Sequence, residues 1–285
     1  MTMFETLSLN SLDGYVLSAR VYVPESMPRR VLLLVSAMGV SQRFYEPFAQ
    51  WLTTQGVAVM TFDFRGIGDS APRSLRGFDA SISDWATKDL SAAVQYVETR
   101  WPEVPRVYLG HSLGGQLFGW LNHPERFDRV VTVASGNGYW RYNAPAVRGK
   151  APLLWWLLAP VSVSLAGYFP GKRLGAIGDL PAKAMWQWRR WCLHPDYLGA
   201  EGGHLRAHYA KVRNPIHAVL AEDDELLSPL GIQRLYHLYS NAKVEFESIE
   251  PRAVGLDRVG HFGFFKPASA TALWPKALSW IGLQA

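Results

Sequence analysis

The feature that most restricts how this chain can fold is a short apolar run, Val107-Tyr108-Leu109-Gly110, that passes without a linker into His111-Ser112-Leu113-Gly114-Gly115 and a second apolar stretch. The run has the length of a buried strand, and residues 113–122 read as a helix. A strand that turns straight into a helix belongs in a parallel sheet, where each helix carries the chain back across a sheet face. Gly110 and Gly114 flank the serine, and their missing side chains let the turn be tight and its backbone strained. The Ser112 hydroxyl is thereby presented at the end of the strand, beside the positive end of the following helix.

The rest of the chain repeats this alternation. Residues 4–9 and 15–23, separated by Leu12-Asp13-Gly14, read as a hairpin. Residues 30–36 form an unbroken apolar strand of the kind buried on both faces. A helix over 44–55, a strand over 57–62, a helix over 82–100 capped by Ser81 or Ser83, and a strand over 129–134 follow. The alternation then stops for about eighty residues rich in Trp, Pro and Gly. It resumes with a strand at 216–221, a helix at 229–239, a strand at 244–249 and a last helix at 268–281. No internal repeat is present. The pattern predicts an α/β fold with a mostly parallel central sheet and helices on both faces. Its core domain spans 1–135 and 215–285, interrupted by an inserted helical cap at 136–214.

With 285 residues, 48% hydrophobic and 19% charged, the chain can bury one large core and is unlike a disordered protein. Cys192 is the single cysteine, so no intrachain disulfide forms. The first residues lack a basic segment followed by an apolar run, which argues against a secretory signal. Both observations point to the cytoplasm. The net charge is +5, but no nucleic-acid motif accompanies it, and the longest basic runs are pairs such as Arg29-Arg30 and Arg189-Arg190. Nucleic acid is therefore not an expected partner.

The cap has features of its own. Residues 151–169 contain no charge and approach the length of a membrane span. Pro152, Pro160 and Gly167 argue instead for a pair of cap helices, buried or lining a substrate site, with shallow peripheral membrane contact as the alternative. Eleven basic against three acidic residues give 136–214 a charge of +8 and leave the remainder at −3. That favours an anionic ligand such as an acyl-CoA thioester or a lipid head group, unless it is simply a solvated basic face. Six Trp residues (140, 155, 156, 186, 188 and 191) suit a lipophilic group or form the cap's own core.

A nucleophilic serine needs a base, and the base needs an orienting acid. His261, in Arg258-Val259-Gly260-His261-Phe262-Gly263, follows the last strand, where the base of such a Ser–acid–His order falls. The acid is expected after strand 216–221, where Glu222-Asp223-Asp224-Glu225 leaves Asp223 and Asp224 open, with Asp257 a weaker third. No metal site is expected, since His204 and His208 lack an accompanying cluster, and no glycine-rich nucleotide loop suggests a cofactor. Cys192 has no elbow around it and reads as a packed thiol.

GVSQRFYEPFAQWL, FDFRGIGDS, GHSLGGQLFG, ASGNGYW, GYFPGKRLG and RVGHFGFF together resemble the α/β-hydrolase superfamily. The branch they are most similar to is the one grouped with serine aminopeptidase S33-like and monoacylglycerol-lipase-like hydrolases, including uncharacterised predicted hydrolases of bacteria. The resemblance implies Ser112 as nucleophile, His261 as base and, by the usual spacing after the strand, Asp224 as acid. It places the oxyanion donors at the Leu113 and Met38 amides, although Ser36-Ala37 stands where the family has His-Gly. Asp63 and Arg65 in DFRGIGDS read as structural. The implied activity is hydrolysis of a carboxylic ester or thioester of a lipophilic acyl group, a small-molecule substrate. An acyltransferase, perhydrolase or aminopeptidase would use the same triad, and a non-catalytic binding protein could occupy the same scaffold.

Overall fold

The structure is a computed structural model that describes residues 4–175 and 177–283. In chain order its strands are β1 (Phe4–Asn10), β2 (Val16–Tyr22), β3 (Arg30–Val35), β4 (Val57–Phe62), β5 (Arg106–His111), β6 (Arg129–Val133), β7 (Tyr168–Phe169), β8 (Leu180–Pro181), β9 (Ile216–Ala221) and β10 (Val244–Ile249). Eight of these form one sheet in the order β1-β2-β4-β3-β5-β6-β9-β10. The β1–β2 and β2–β4 pairs are antiparallel, and every other neighbouring pair in this sheet is parallel. The parallel centre is mostly apolar because helices cover both faces, and β4 is buried along its whole length. This is the mostly parallel sheet expected from the alternation.

Crossing order places β3, β5 and β6 side by side, so their C-terminal ends open on one crevice. Among the described residues, 136–214 add no strand to the large sheet. They contain the small β7–β8 pair and the helices Ala182–Leu193 and Gly203–Lys211.

Several helices differ from the expected ones, each for a local reason. The helix after Ser112 is α-helical only over Leu113–Gln116 and tightens to a 3₁₀ turn at Leu117–Trp120. There the ring of Tyr209 fills the space beside Gly119, where any Cβ would lie 2.4 Å from it. The last helix is Trp274–Trp280 rather than 268–281, since Pro275 cannot continue a helix from the preceding turn. Helix 82–100 carries a π turn at Trp85–Asp89, and Ser81 closes a capping box with Asp84. That turn aims Trp85 Nε1 at the Arg65 carbonyl (3.0 Å) and Asp89 at the Arg65 guanidinium (2.6 Å).

The expected pair of cap helices, buried or lining a substrate site, is instead one helix, continuous over 151–166, with one face exposed. Pro160 does not break it because a π turn over Leu154–Leu158 widens the preceding backbone, relieving the clash with the carbonyl four residues back. Gly167, at φ +77°, ends the helix in the left-handed conformation. Among the described residues no helix is long and apolar enough to cross a membrane.

Candidate active site

Ser112 occupies the turn between β5 and the following helix at φ 51°, ψ −112°, a region that costs a non-glycine residue of the order of 1–3 kcal/mol. Its neighbours explain how the turn survives. A Cβ on Gly110 would lie 2.4 Å from Gly115 N, one on Gly114 2.1 Å from Val35 O, and one on Gly115 2.1 Å from Ser135 Oγ. The Ser112 amide donates to the Val133 carbonyl on the adjacent strand (2.9 Å), which fixes the elbow to the sheet.

The contact of Gly114 with the end of β3 also brings the loop after β3 beside the serine. In that loop Val40 N–H donates to the Ala37 carbonyl (3.1 Å), closing a turn in which Gly39 takes φ +68°. The left-handed residue of this turn is thus Gly39, and Ala37 is not required to adopt a glycine conformation. The departure from His-Gly at 36–37 therefore leaves the loop intact. Met38 and Leu113 both line the cavity that contains Ser112, and Leu113 is the first residue of its helix, whose amide has no intrahelical acceptor.

His261 is 3% exposed and its Nδ1 lies 2.8 Å from Asp224 Oδ2. The other Asp224 oxygen accepts the amides of Leu226 (2.8 Å) and Leu227 (3.0 Å), so the carboxylate is held from both sides. The adjacent acids do different work. Asp223 accepts the amides of Val259 (3.0 Å) and Gly260 (2.8 Å). Glu225 accepts the His261 amide (3.2 Å) and pairs with Arg258. Two carboxylates thus shape the backbone of the histidine loop, while the one between them meets the imidazole. Asp257 is exposed, and the carboxylate bonded to the ring is that of Asp224.

A chain of hydrogen bonds that the sequence did not suggest runs behind these groups. Ala37 N–H donates to Tyr45 Oη (2.9 Å), Tyr45 Oη contacts His111 Nδ1 (2.8 Å), and His111 Nε2 contacts the His261 carbonyl (2.9 Å). A carbonyl only accepts, so His111 carries its proton on Nε2 and receives the Tyr45 proton on Nδ1. Burial, with the neighbouring His261 ring second, holds the His111 pKa well below the ordinary histidine value. His111 is therefore a neutral strut between the 36–40 loop, the elbow and the histidine loop.

Ser112 and His261 open on one cavity of about 610 Å³, within the range that holds small ligands. Its wall is mainly apolar, with Trp155, Trp188, Ile177 and Leu154 from the 136–214 segment and Phe44 and Phe262 from the sheet side. Among the described residues, Lys150 is the Lys or Arg on this wall, and no Asp or Glu lines it. Cys192 contributes a buried thiol whose pKa burial pushes up, so it stays protonated. The tryptophans of residues 136–214 divide between roles: Trp155 and Trp188 line the cavity, Trp191 is core, and Trp156 and Trp186 are exposed.

Asp63 and Arg65 lie outside this cavity. Asp63 accepts the amides of Gln42 (2.7 Å) and Asp69 (2.8 Å), and buried Arg65 is tied to Asp89, Asp13 and Ser11. Among the described residues no group of three or more His, Cys, Asp or Glu could hold a metal.

The sequence model described as "Serine aminopeptidase, S33" matches residues 26–174. The chain is 28% identical over 130 residues to monoglyceride lipase of Rattus norvegicus, covering 44% of this chain and 41% of the lipase. It is 32% identical over 110 residues to monoacylglycerol lipase of Mycolicibacterium smegmatis, covering 38% of each. The matches thus span about two fifths of the length of these lipases. Among solved structures, a soluble variant of Saccharomyces cerevisiae monoglyceride lipase bound to a substrate analog superposes with a TM-score of 0.65 at 13% identity, covering 99% of this chain and 94% of that one. An esterase of Pyrococcus furiosus gives 0.63 at 16% identity, covering 99% and 92%. At these identities the two structures share the fold.

Proposed function

The chain belongs to the serine aminopeptidase S33 family of α/β-hydrolases, and from that premise we propose that it hydrolyses carboxylic esters or thioesters of a lipophilic acyl group through Ser112, His261 and Asp224. The observation that carries this reading is the 2.8 Å contact of His261 Nδ1 with Asp224, its imidazole opening on the same cavity as the strained Ser112.

In this scheme His261 Nε2 takes the Ser112 proton as Oγ attacks the acyl carbon. Asp224 holds the Nδ1–H tautomer and stabilises the imidazolium without itself being protonated. The carbonyl oxygen becomes an oxyanion facing the Met38 and Leu113 amides. Collapse breaks the bond to the leaving group, which receives the proton from His261. Water, deprotonated by the same imidazole, then releases the acid and restores the serine. Residues 136–214 act as the cap that walls the acyl cavity.

The composition of that wall favours an ester over a peptide substrate. A free peptide amine is a cation, and among the described residues the cavity wall offers it Lys150 and no carboxylate. The mostly apolar wall supports a lipophilic acyl group, and Lys150 supports an anionic leaving group. The test is labelling with a fluorophosphonate probe, expected at Ser112 and lost in Ser112→Ala, combined with rates on matched esters, thioesters and amino-acid arylamides. Preferential arylamide turnover would overturn the ester assignment, and failure of the folded protein to label would overturn the mechanism.

A further inference from the structure

Helix 151–166 has two apolar faces and only one of them is packed. Ala151, Trp155, Ala159 and Val163 are buried, and Leu154 and Trp155 line the cavity. On the other side Leu153, Trp156, Leu157, Val161 and Leu165 follow one another at helical spacing, and each is roughly half exposed or more, reaching 74% at Leu165. No charged residue interrupts either face. A continuous apolar stripe of this kind marks a surface that something covers.

Its surroundings are cationic. Trp156 packs edge-on against Trp140 (5.7 Å between centroids), and the Arg141 guanidinium lies over Trp140 at 5.1 Å. Arg148 and Lys150 stand exposed at the start of the helix. At its end, exposed Arg76 donates from Nη2 to the Leu165 carbonyl (3.0 Å). None of these four cations joins an ion pair among the described residues. Positive charge therefore stands at both ends of the stripe and, through the Trp140–Trp156 pair, at its flank.

We propose that this face docks on an anionic lipid surface, with the stripe inserted among the acyl chains and the surrounding cations on the head groups. At about 1.5 Å per residue the helix is on the order of 24 Å long, too short to span a bilayer and suited to lying in its interface. The same helix walls the cavity with its inner face, so docking sets the cavity beside the lipid from which a lipophilic substrate would come. This consequence rests on the ester-hydrolase reading, while the docking itself does not.

The experiment is co-sedimentation of the full chain with phosphatidylcholine vesicles, with and without about one third phosphatidylglycerol. It is run beside hydrolysis of a water-soluble short-chain ester. The anionic vesicles should bind the protein, with affinity falling as salt is raised, and neutral vesicles should bind it more weakly. Leu157→Ser with Leu165→Ser should cut partitioning about tenfold, and Arg141→Gln with Arg148→Gln should remove the preference for anionic lipid. Both double variants should keep the soluble-ester rate, which shows that they are folded.

No vesicle binding by the unaltered chain, or binding unchanged by the leucine pair, overturns the proposal. So does concentration-dependent self-association that the leucine pair abolishes, because the stripe would then be covered by a second copy. Loss of ester hydrolysis by the unaltered chain would count against the enzymatic reading and leave the docking result standing.

Discussion

Tyr45 Oη lies 2.8 Å from His111 Nδ1, deep in the protein, and this contact joins the loop carrying Met38 to the elbow carrying Ser112. The same hydroxyl accepts the Ala37 amide, one residue from Met38. Tyr45→Phe deletes both bonds and leaves two buried polar groups unpaired, at a cost of about 1–3 kcal/mol. The apolar cavity is untouched, so substrate binding should persist while alignment of the reacting groups suffers. The expected result is kcat down by about tenfold with KM within about twofold of the parent. Steady-state kinetics on one ester, with urea unfolding to measure the stability loss, checks it.

His111 also sets a pH dependence. Its native pKa is depressed by burial, whereas in the unfolded chain it titrates near the ordinary value of about 6.5. Below that pH the unfolded state binds a proton that the native state refuses. The contribution of His111 is thus complete above the unfolded pKa and is lost as pH falls through it. The slope approaches about 1.4 kcal/mol per pH unit. Urea midpoints measured from pH 7.5 to 5 should fall most steeply below about 6.5, and His111→Gln should flatten that fall.

Two of the four acids after β9, Asp223 and Asp224, make an internal control for the triad assignment. Asp224→Asn keeps the shape of the side chain but can present an amide N–H to Nδ1 and favours the wrong imidazole tautomer, so kcat should drop on the order of 10³–10⁴-fold. Asp223→Asn weakens only the grip on the Val259 and Gly260 amides and should cost about tenfold or less in kcat, together with a measurable loss of stability. Comparable losses in the two variants would remove the distinction drawn between them.

The contrast between those acids also shows where sequence reading stops. β4 and β9 were legible as mostly apolar runs and β10 by the alternation of apolar and polar residues in VEFESI, and the elbow because its glycines permit the tight strand-to-helix turn around Ser112. Asp223, Asp224 and Glu225 are chemically alike and adjacent, so only their partners across the fold tell them apart. Tyr45 gave no signal at all, since its partner His111 lies 66 residues away and neither spacing nor composition links them. Residues 151–166 read as two helices, buried or lining a substrate site, and form one helix that lines the cavity on one side only; both of its faces are apolar, which erases the polar stripe that normally identifies the outer side. Its proline signalled a break that the π turn avoids.

Lys150 bears on the choice among substrates. It caps the start of helix 151–166 and stands on the cavity wall, where no acidic residue lies among the described residues. A leaving group that carries phosphate, as an acyl-CoA thioester does, would gain from this cation, whereas a neutral alcohol would not. An exposed pairing of this kind is typically weak, about 0.2–1 kcal/mol, and several phosphates near one lysine raise the effect toward the upper end. Lys150→Gln should therefore raise KM about three- to fivefold for a phosphate-bearing acyl thioester, with a dependence on salt that the parent shows and the variant lacks. The same substitution should leave KM for a neutral ester of equal acyl length unchanged. Equal changes for both substrates would mean that the lysine shapes the cavity and reads no charge, and the anionic leaving group would drop out of the proposal.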